Sequence, residues 1–450
     1  MDVKKQIAEL ENEMIADLSA LVEISSVEEE AKEGMPFGEG PAKALAKALE
    51  ISERMGFKTK NLDNYCGYAE IGQGEEIIGL VAHLDTVPVG EGWNTDPLKV
   101  TNIDGVLYGR GVSDDKGGAV ASLYTLKMIK EMGIPLNKRI RVIFGCNEET
   151  GMLCMDHYNK VEEPLTVGFT PDGSFPGVYG EKGHMDLEIQ SKSTQIISMD
   201  GGMVTNAVCN RCTTVIPASC VDIDALTQAF ENTPLKHFEI AQEGNNLIID
   251  AQGVLAHAST PLLGINAASY TFKALKDAGM VDDFVDYYVE HVGTACDGSG
   301  YNLNIEDEYG DLTFNNGIVK TEDGVIKCLI DIRYPVTFDE AQIRKLCEDR
   351  LEDEKGKCII LDIGKPLFFD PNSKLVATLY DAYVKVTKDT ENKPFVMGGG
   401  TYAKAIPGII AFGCEYPNTD NHIHDANESL KIAEFTEQVE IYTEAVKNLL

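Results

Sequence analysis

The residues that could do chemistry in this 450-residue chain stand mostly where an apolar run gives way to a loop. The run 77–82 ends in His83, and Asp85 follows two positions later. In an extended chain those side chains face the same way, so His83 could ligate a metal while Asp85 accepts its other ring N–H and fixes the tautomer. Asp114 and Asp115 come after Gly109 and Gly111, just ahead of a helical pattern. Glu148 and Glu149 leave a second apolar run, and Asp172 leaves a third in a Pro-Asp-Gly turn. Adjacent residues leaving a strand point apart, so one glutamate can bind a cation while its neighbour reaches a water. Each pattern also has a plainer reading: capping charges for Asp114 and Asp115, solvated loop acids for Glu148 and Glu149, turn chemistry for Asp172.

The elements that must position these groups show in the periodicity. Helical spacing predicts helices over 2–24, 42–55 and 115–132, alternating with strands over 77–82, 139–146 and 166–170. Such alternation predicts an α/β sheet covered on both faces, with ligands at strand ends. From residue 186 the texture changes to short alternating strands at 187–189, 247–249 and 326–333, with helices at 266–278 and 339–353. After residue 372 the first texture returns: a helix over 374–388, a Gly398-Gly399-Gly400-Thr401 loop, a strand at 409–413, the motif His424-Asp-Ala-Asn-Glu428 and a closing helix. The expectation is a discontinuous catalytic domain, 1–185 plus 373–450. An α+β domain over 186–372 interrupts it, long enough for two copies of a small sheet-and-helix unit.

Composition bounds the function. With 39 basic against 73 acidic residues, a net charge of −34, the surface should repel nucleic acid and anionic membranes. The opening residues lack the apolar core of a secretion signal, and no stretch reads as a membrane span. Eleven scattered cysteines suit reduced thiols, so a cytoplasmic location is expected. Cys209 and Cys212 form a lone CxxC pair, with ordinary thiols as its plainer reading over zinc or redox work.

Taken together, the motifs resemble those of the zinc-dependent aminoacylase and carboxypeptidase superfamily of co-catalytic metallopeptidases, closest to PepV-type bacterial dipeptidases. The match is carried in order by His83-Leu-Asp85-Thr-Val-Pro, Gly109-Arg-Gly-Val-Ser-Asp114-Asp-Lys-Gly, Asn147-Glu-Glu-Thr, Thr170-Pro-Asp172, Gly180-Glu-Lys-Gly, Ala256-His257-Ala-Ser, the triple-glycine Thr401 loop and His424-Asp-Ala-Asn-Glu. It covers nearly the whole chain.

The resemblance implies a two-domain di-zinc exopeptidase fold, with a mixed sheet in the catalytic domain and an inserted lid of two ferredoxin-like units. It assigns one metal to His83 and Asp172, the other to Glu149 and His424, with Asp114 bridging and a cis bond between Asp114 and Asp115. An N/O ligand set suits zinc, with manganese or cobalt as alternatives. Glu148 is implied as general base and acid acting on a hydroxide between the metals, and Asp85 as the orienter of His83. His257 would donate a hydrogen bond to the oxyanion; a lone His between alanines otherwise reads as a packed residue. Asn206 and Arg333 would hold the substrate's carboxylate, and Gly400 and Thr401 would approach the substrate with their backbone. The sequence departs from the family pattern after Asn206, where Cys209 replaces part of a common Val-Pro pair.

The implied activity is hydrolysis of dipeptides with free termini. The alternatives are an N-acyl amino acid deacylase or desuccinylase using the same site, and an inactive binding protein. Relatives with a smaller lid dimerise through it, whereas the long insert here implies a monomer.

Overall fold

The computed structural model describes residues 2–351 and 354–450. The chain forms two compact units. One comprises Met1–Gly180, Phe369–Val396 and Gly400–Leu450; the other comprises Glu181–Phe368 with Met397–Gly399. The boundaries, 180/181 and 368/369, fall a few residues before the expected 185/186 and 372/373.

The first unit opens with helices α1 (Val3–Val22) and α2 (Glu39–Arg54). There follow β1 (Lys58–Leu62), β2 (Cys66–Gly72), β3 (Ile77–His83), β4 (Thr101–Ile103), β5 (Val106–Tyr108), α3 (Lys116–Glu131), β6 (Arg139–Gly145), α4 (Leu153–Val161), β7 (Val167–Thr170) and β8 (Val178–Glu181). After the inserted unit come the helix Lys374–Thr387, the strand Ile409–Ala411 and the closing helix Ile432–Leu449. The main sheet runs β1-β2-β6-β3-β7, then Ile409–Ala411 and β8. Its centre is parallel: β3 pairs in parallel with β6 and β7, and Ile409–Ala411 with β7. Its flanks are antiparallel. All seven residues of β3 are buried, as expected of a strand covered on both faces. Parallel strands end on one edge, so the loops after β3, β6, β7 and Ile409–Ala411 emerge together.

The inserted unit holds an eight-stranded antiparallel sheet. In chain order it comprises β9 (Gly183–Ser191), β10 (Ser198–Gly201), β11 (Arg211–Pro217), α5 (Ile223–Glu231), β12 (His237–Glu243), β13 (Asn246–Gln252), α6 (Ala267–Asp277), α7 (Asp283–His291), the hairpin β14 (Glu306–Asp307) and β15 (Gly310–Asp311), β16 (Thr313–Glu322), β17 (Val325–Tyr334), α8 (Glu340–Cys347) and β18 (Gly356–Gly364). The helix expected over 339–353 ends as α8 and one 3-10 turn, Glu348–Arg350; residues 352 and 353 lie outside the described residues.

The strand order β12-β13-β11-β10-β16-β17-β9-β18 divides into two four-stranded halves. The half β9, α7, β16, β17, α8, β18 is a βαββαβ unit with its first strand between the third and the fourth. The half β10, β11, α5, β12, β13, α6 repeats that arrangement if its count begins at β13. The halves meet through β10 and β16, which pair antiparallel at Gly201 and Val319. Alternate residues of the strands, such as Met185, Leu187, Ile189, Ile330 and Ile332, enter one core with Phe272, Phe284 and Tyr288 of the helices.

Candidate metal centre

His83 closes β3, Glu148 and Glu149 follow β6, and Asp172 follows β7. Asp114 stands just ahead of α3, and His424 lies in the loop between Ile409–Ala411 and the closing helix. The two histidines meet on Asp114. His83 Nε2 is 2.8 Å from Asp114 Oδ1, and His424 Nε2 is 2.9 Å from Asp114 Oδ2. Asp172 Oδ2 lies 3.8 Å from His83 Nε2, and Glu149 Oε2 lies 3.1 Å from His424 Nε2. Donor atoms of His83, Asp114 and Glu149 fall within 4.8 Å of one another, as do those of His83, Glu148 and Asp172.

The electrostatics of the cluster follow from its paired charges. Burial opposes a charge on His83, yet the carboxylates of Asp114, Asp172 and Asp85 outweigh it and hold the ring well above the ordinary imidazole range. His424 is likewise carried up to about 11, against burial, by Asp114 and Glu149. Asp114, which burial would raise, is held well below the carboxylate range by the two rings. Burial, then the Asp172 charge, pushes Glu148 well up. The nitrogen and carboxylate donors that converge here, without thiolate, fit divalent cations.

The support beneath the cluster differs in part from the expectation. His83 Nδ1 lies 2.9 Å from the backbone carbonyl oxygen of Asp85, while the Asp85 carboxylate stands 3.7 Å away. The residue expected to orient the ring does so with its main chain, because its carboxylate turns to accept from the Glu149 N–H at 3.0 Å. Asp115 occupies the N-cap position of α3 but makes no cap hydrogen bond; its Oδ2 accepts from His83 N–H at 3.1 Å. The capping reading thus fails for Asp115. The Asp114-Asp115 peptide bond is cis. Gly118 leaves room for the Asp115 carboxylate, which a Cβ there would strike.

Glu428, the last residue of the His424-Asp-Ala-Asn-Glu motif, is central to the loop that presents Asp114. Fully buried, its carboxylate accepts from Arg110 Nη1 (2.8 Å) and from the backbone N–H groups of Gly111 (3.0 Å), Ser113 (2.9 Å) and Asp114 (3.0 Å). It reaches them because Ser429–Lys431 pairs antiparallel with β5, which leads into that loop. An acid four residues beyond a candidate histidine ligand was the available signal. Thr401 is buried, and the next residue, Tyr402, packs its ring edge-on to His83 with centroids 6.3 Å apart. Gly400 is exposed beside it.

On the inserted unit, Asn206 and His257 lie on adjacent segments. Ala207 bridges to His257, Ala258 N–H donates to Asn206 O (2.9 Å) and Val208 N–H to Ala256 O (2.9 Å). His257 is exposed, and its Nδ1 accepts from Ser259 N–H at 3.1 Å, which leaves the ring proton of the neutral form on Nε2. Arg333 is paired with Asp331 of its own strand. Cys209 and Cys212 are buried in the core, and burial pushes both thiols up, Cys209 to about 11. That is the behaviour of ordinary structural thiols.

Comparison with known proteins fits this geometry. The model of "Peptidase family M20/M25/M40" matches residues 79–448. The chain belongs to that family. This M20 peptidase is 34% identical to "Putative dipeptidase YtjP" of Bacillus subtilis, over 100% of both chains. It is 30% identical to "Putative dipeptidase SH1171" of Staphylococcus haemolyticus, over 99% of each. Among solved structures, human carnosine dipeptidase 1 matches with a TM-score of 0.60 at 14% identity, covering 99% of this chain and 98% of that one. The dipeptidase Dug1p from Saccharomyces cerevisiae matches with a TM-score of 0.57 at 14% identity, covering 99% and 97%. These last two likenesses show the fold. The M20 peptidase is thus a hydrolase of the metallopeptidase class, with a two-domain α/β peptidase fold. Among its described residues no helix is long and apolar enough to cross a membrane.

Proposed function

We propose that this M20 peptidase is a dipeptidase acting on dipeptides with free amino and carboxyl termini. The observation that carries the reading is Asp114, whose two carboxylate oxygens each meet a different histidine. In this reading His83 and Asp172 hold one cation, Glu149 and His424 the other, and Asp114 serves both. Zinc is the first choice for such donors, with manganese and cobalt as alternatives. When bound, the cations supply the Lewis acidity that makes water a nucleophile near neutral pH.

The rest of the chemistry falls to the chain. Glu148 takes a proton from the attacking water and delivers it to the leaving amine nitrogen. His257, with its proton on Nε2, donates to the carbonyl oxygen as charge develops there. Asn206 and Arg333 hold the free carboxylate, while the backbone of Gly400 and Thr401 lines the substrate. In this reading the inserted unit supplies three of these groups. Its two halves pair within one chain, which supports a monomer. Eleven free cysteines support a reducing, cytoplasmic setting.

The test is a panel given to chelated protein with zinc or manganese restored: an Ala-X dipeptide, a β-Ala-His dipeptide, a tripeptide and an N-succinyl amino acid. Metal-restored cleavage confined to dipeptides is expected. Cleavage of the succinylated compound alone would assign the site to deacylation, and silence across the panel would contradict both.

A further inference from the structure

The substrate residues assigned to the inserted unit come from three distant stretches, and two buried polar side chains tie them together. Asn315 on β16 and Asp331 on β17 stand opposite each other in the ladder. They are 1% and 2% exposed. They point away from the core that takes Phe314, Ile330 and Ile332. An isolated carboxylate or amide at such burial is costly, so what each one binds says what it is for.

Asp331 grips Arg333 in a two-point fork, accepting from Nε at 2.7 Å and from Nη2 at 2.6 Å. A guanidinium carries five N–H groups in one rigid plane. The fork consumes its Nε/Nη2 edge and fixes the plane, leaving the Nη1/Nη2 edge as a second, pre-aimed fork for another carboxylate. Asn315 Nδ2 donates to Thr205 O at 3.2 Å and to Ala207 O at 2.9 Å, seizing the main chain on both sides of Asn206. That segment is the one bridged to His257, so the same amide sets the height of the His257 segment above the sheet.

We propose that Asn315 and Asp331 are positioning residues that create selectivity for a free carboxylate. Asp331 aims Arg333, and Asn315 sets the Asn206–His257 pair; neither touches the substrate. The inference rests on the dipeptidase reading above for what Arg333 and Asn206 hold. Sequence periodicity alone marks both positions only as alternate strand residues.

The experiment compares wild type, Asp331→Asn, Asp331→Glu and Asn315→Ala, all metal-loaded. Titration calorimetry measures binding of a phosphinic pseudodipeptide with a free C-terminal carboxylate and of its C-terminal amide. Metal content and Tm are read on the same samples. Wild type should prefer the acid by about tenfold or more, the scale of one charge-assisted hydrogen bond. Asp331→Asn should reduce that preference to within about twofold, Asp331→Glu should restore part of it, and metal content should stay at the wild-type value in all. Asn315→Ala should weaken both compounds and the acid more than the amide, because it loosens the segment carrying Asn206. An Asp331→Asn protein that keeps the full preference overturns the proposal, as does a wild type with no preference. Because the readout is binding, a failure of the dipeptidase reading shows separately, as metal-loaded wild type that selects the acid yet cleaves no dipeptide.

Discussion

The two units solve opposite problems with polar groups. In the first, His83, Glu148, Glu149 and Asp172 leave the strand ends of one sheet edge, Asp114 and His424 reach the cluster from loops, and the loop bearing Asp114 is clamped by a carboxylate that accepts four hydrogen bonds in full burial. In the inserted unit, His257 stands exposed on a loop and Asn206 on the segment beside it, partly exposed, with the rigid support one layer below. Groups that must hold charge in a fixed array are locked by the fold itself. In the reading proposed above, His257 and Asn206 meet the substrate from loop segments that are aimed from beneath.

That contrast can be broken at each end. The largest effect should come from Glu148→Gln, which should lower dipeptide turnover by about 10²–10⁴-fold while metal content by elemental analysis stays at the wild-type value. A loss of metal in that variant would make Glu148 a ligand rather than a base. His257→Ala should lower kcat by about 10²–10³-fold, again with unchanged metal content, if its contribution is one preorganised donor to the oxyanion. Normal turnover would remove the inserted unit's part in the chemistry. Glu428→Gln should weaken metal binding by about 10–100-fold in competition with a chelator, with turnover recovering as metal is raised. Unchanged affinity would show that Asp114 does not depend on its clamp.

The smallest expected effect on the site comes from the inserted core. Phe272 is fully buried and stacks on Tyr288 at 3.8 Å between centroids, so Phe272→Ala should cost about 3–5 kcal/mol in denaturant unfolding of that unit. Metal content should not change. A fall in metal content would mean that the two units are not separable in the way the contrast requires.

How much of this was legible in sequence follows the same division. His83, Glu148, Glu149 and Asp172 announce themselves because buried parallel strands read as apolar runs and their ends are visible as the run stops. Asp114, whose bridging place only the family resemblance implied, stands with one carboxylate oxygen toward each histidine. Asp85 was legible as a residue but not as an atom, since nothing in a sequence says whether a carboxylate or its own carbonyl will meet a ring. Glu428 was hidden because its partners are backbone N–H groups more than three hundred positions away. The doubled arrangement of the inserted unit left no visible repeat for a topological reason. One half begins at a different strand of the shared pattern, so its elements occur in a shifted order along the chain. Asn315 and Asp331 were silent because a polar residue at an alternate strand position ordinarily faces solvent.

The most direct test of the central claim is to count divalent cations per chain while following hydrolysis of an alanyl dipeptide as metal is returned to chelated protein. Asp114 placed between two histidines predicts two cations per chain, with turnover absent from the chelated protein and complete only when the second is bound. Full turnover without metal, or saturation of activity at one cation per chain or fewer, would contradict it.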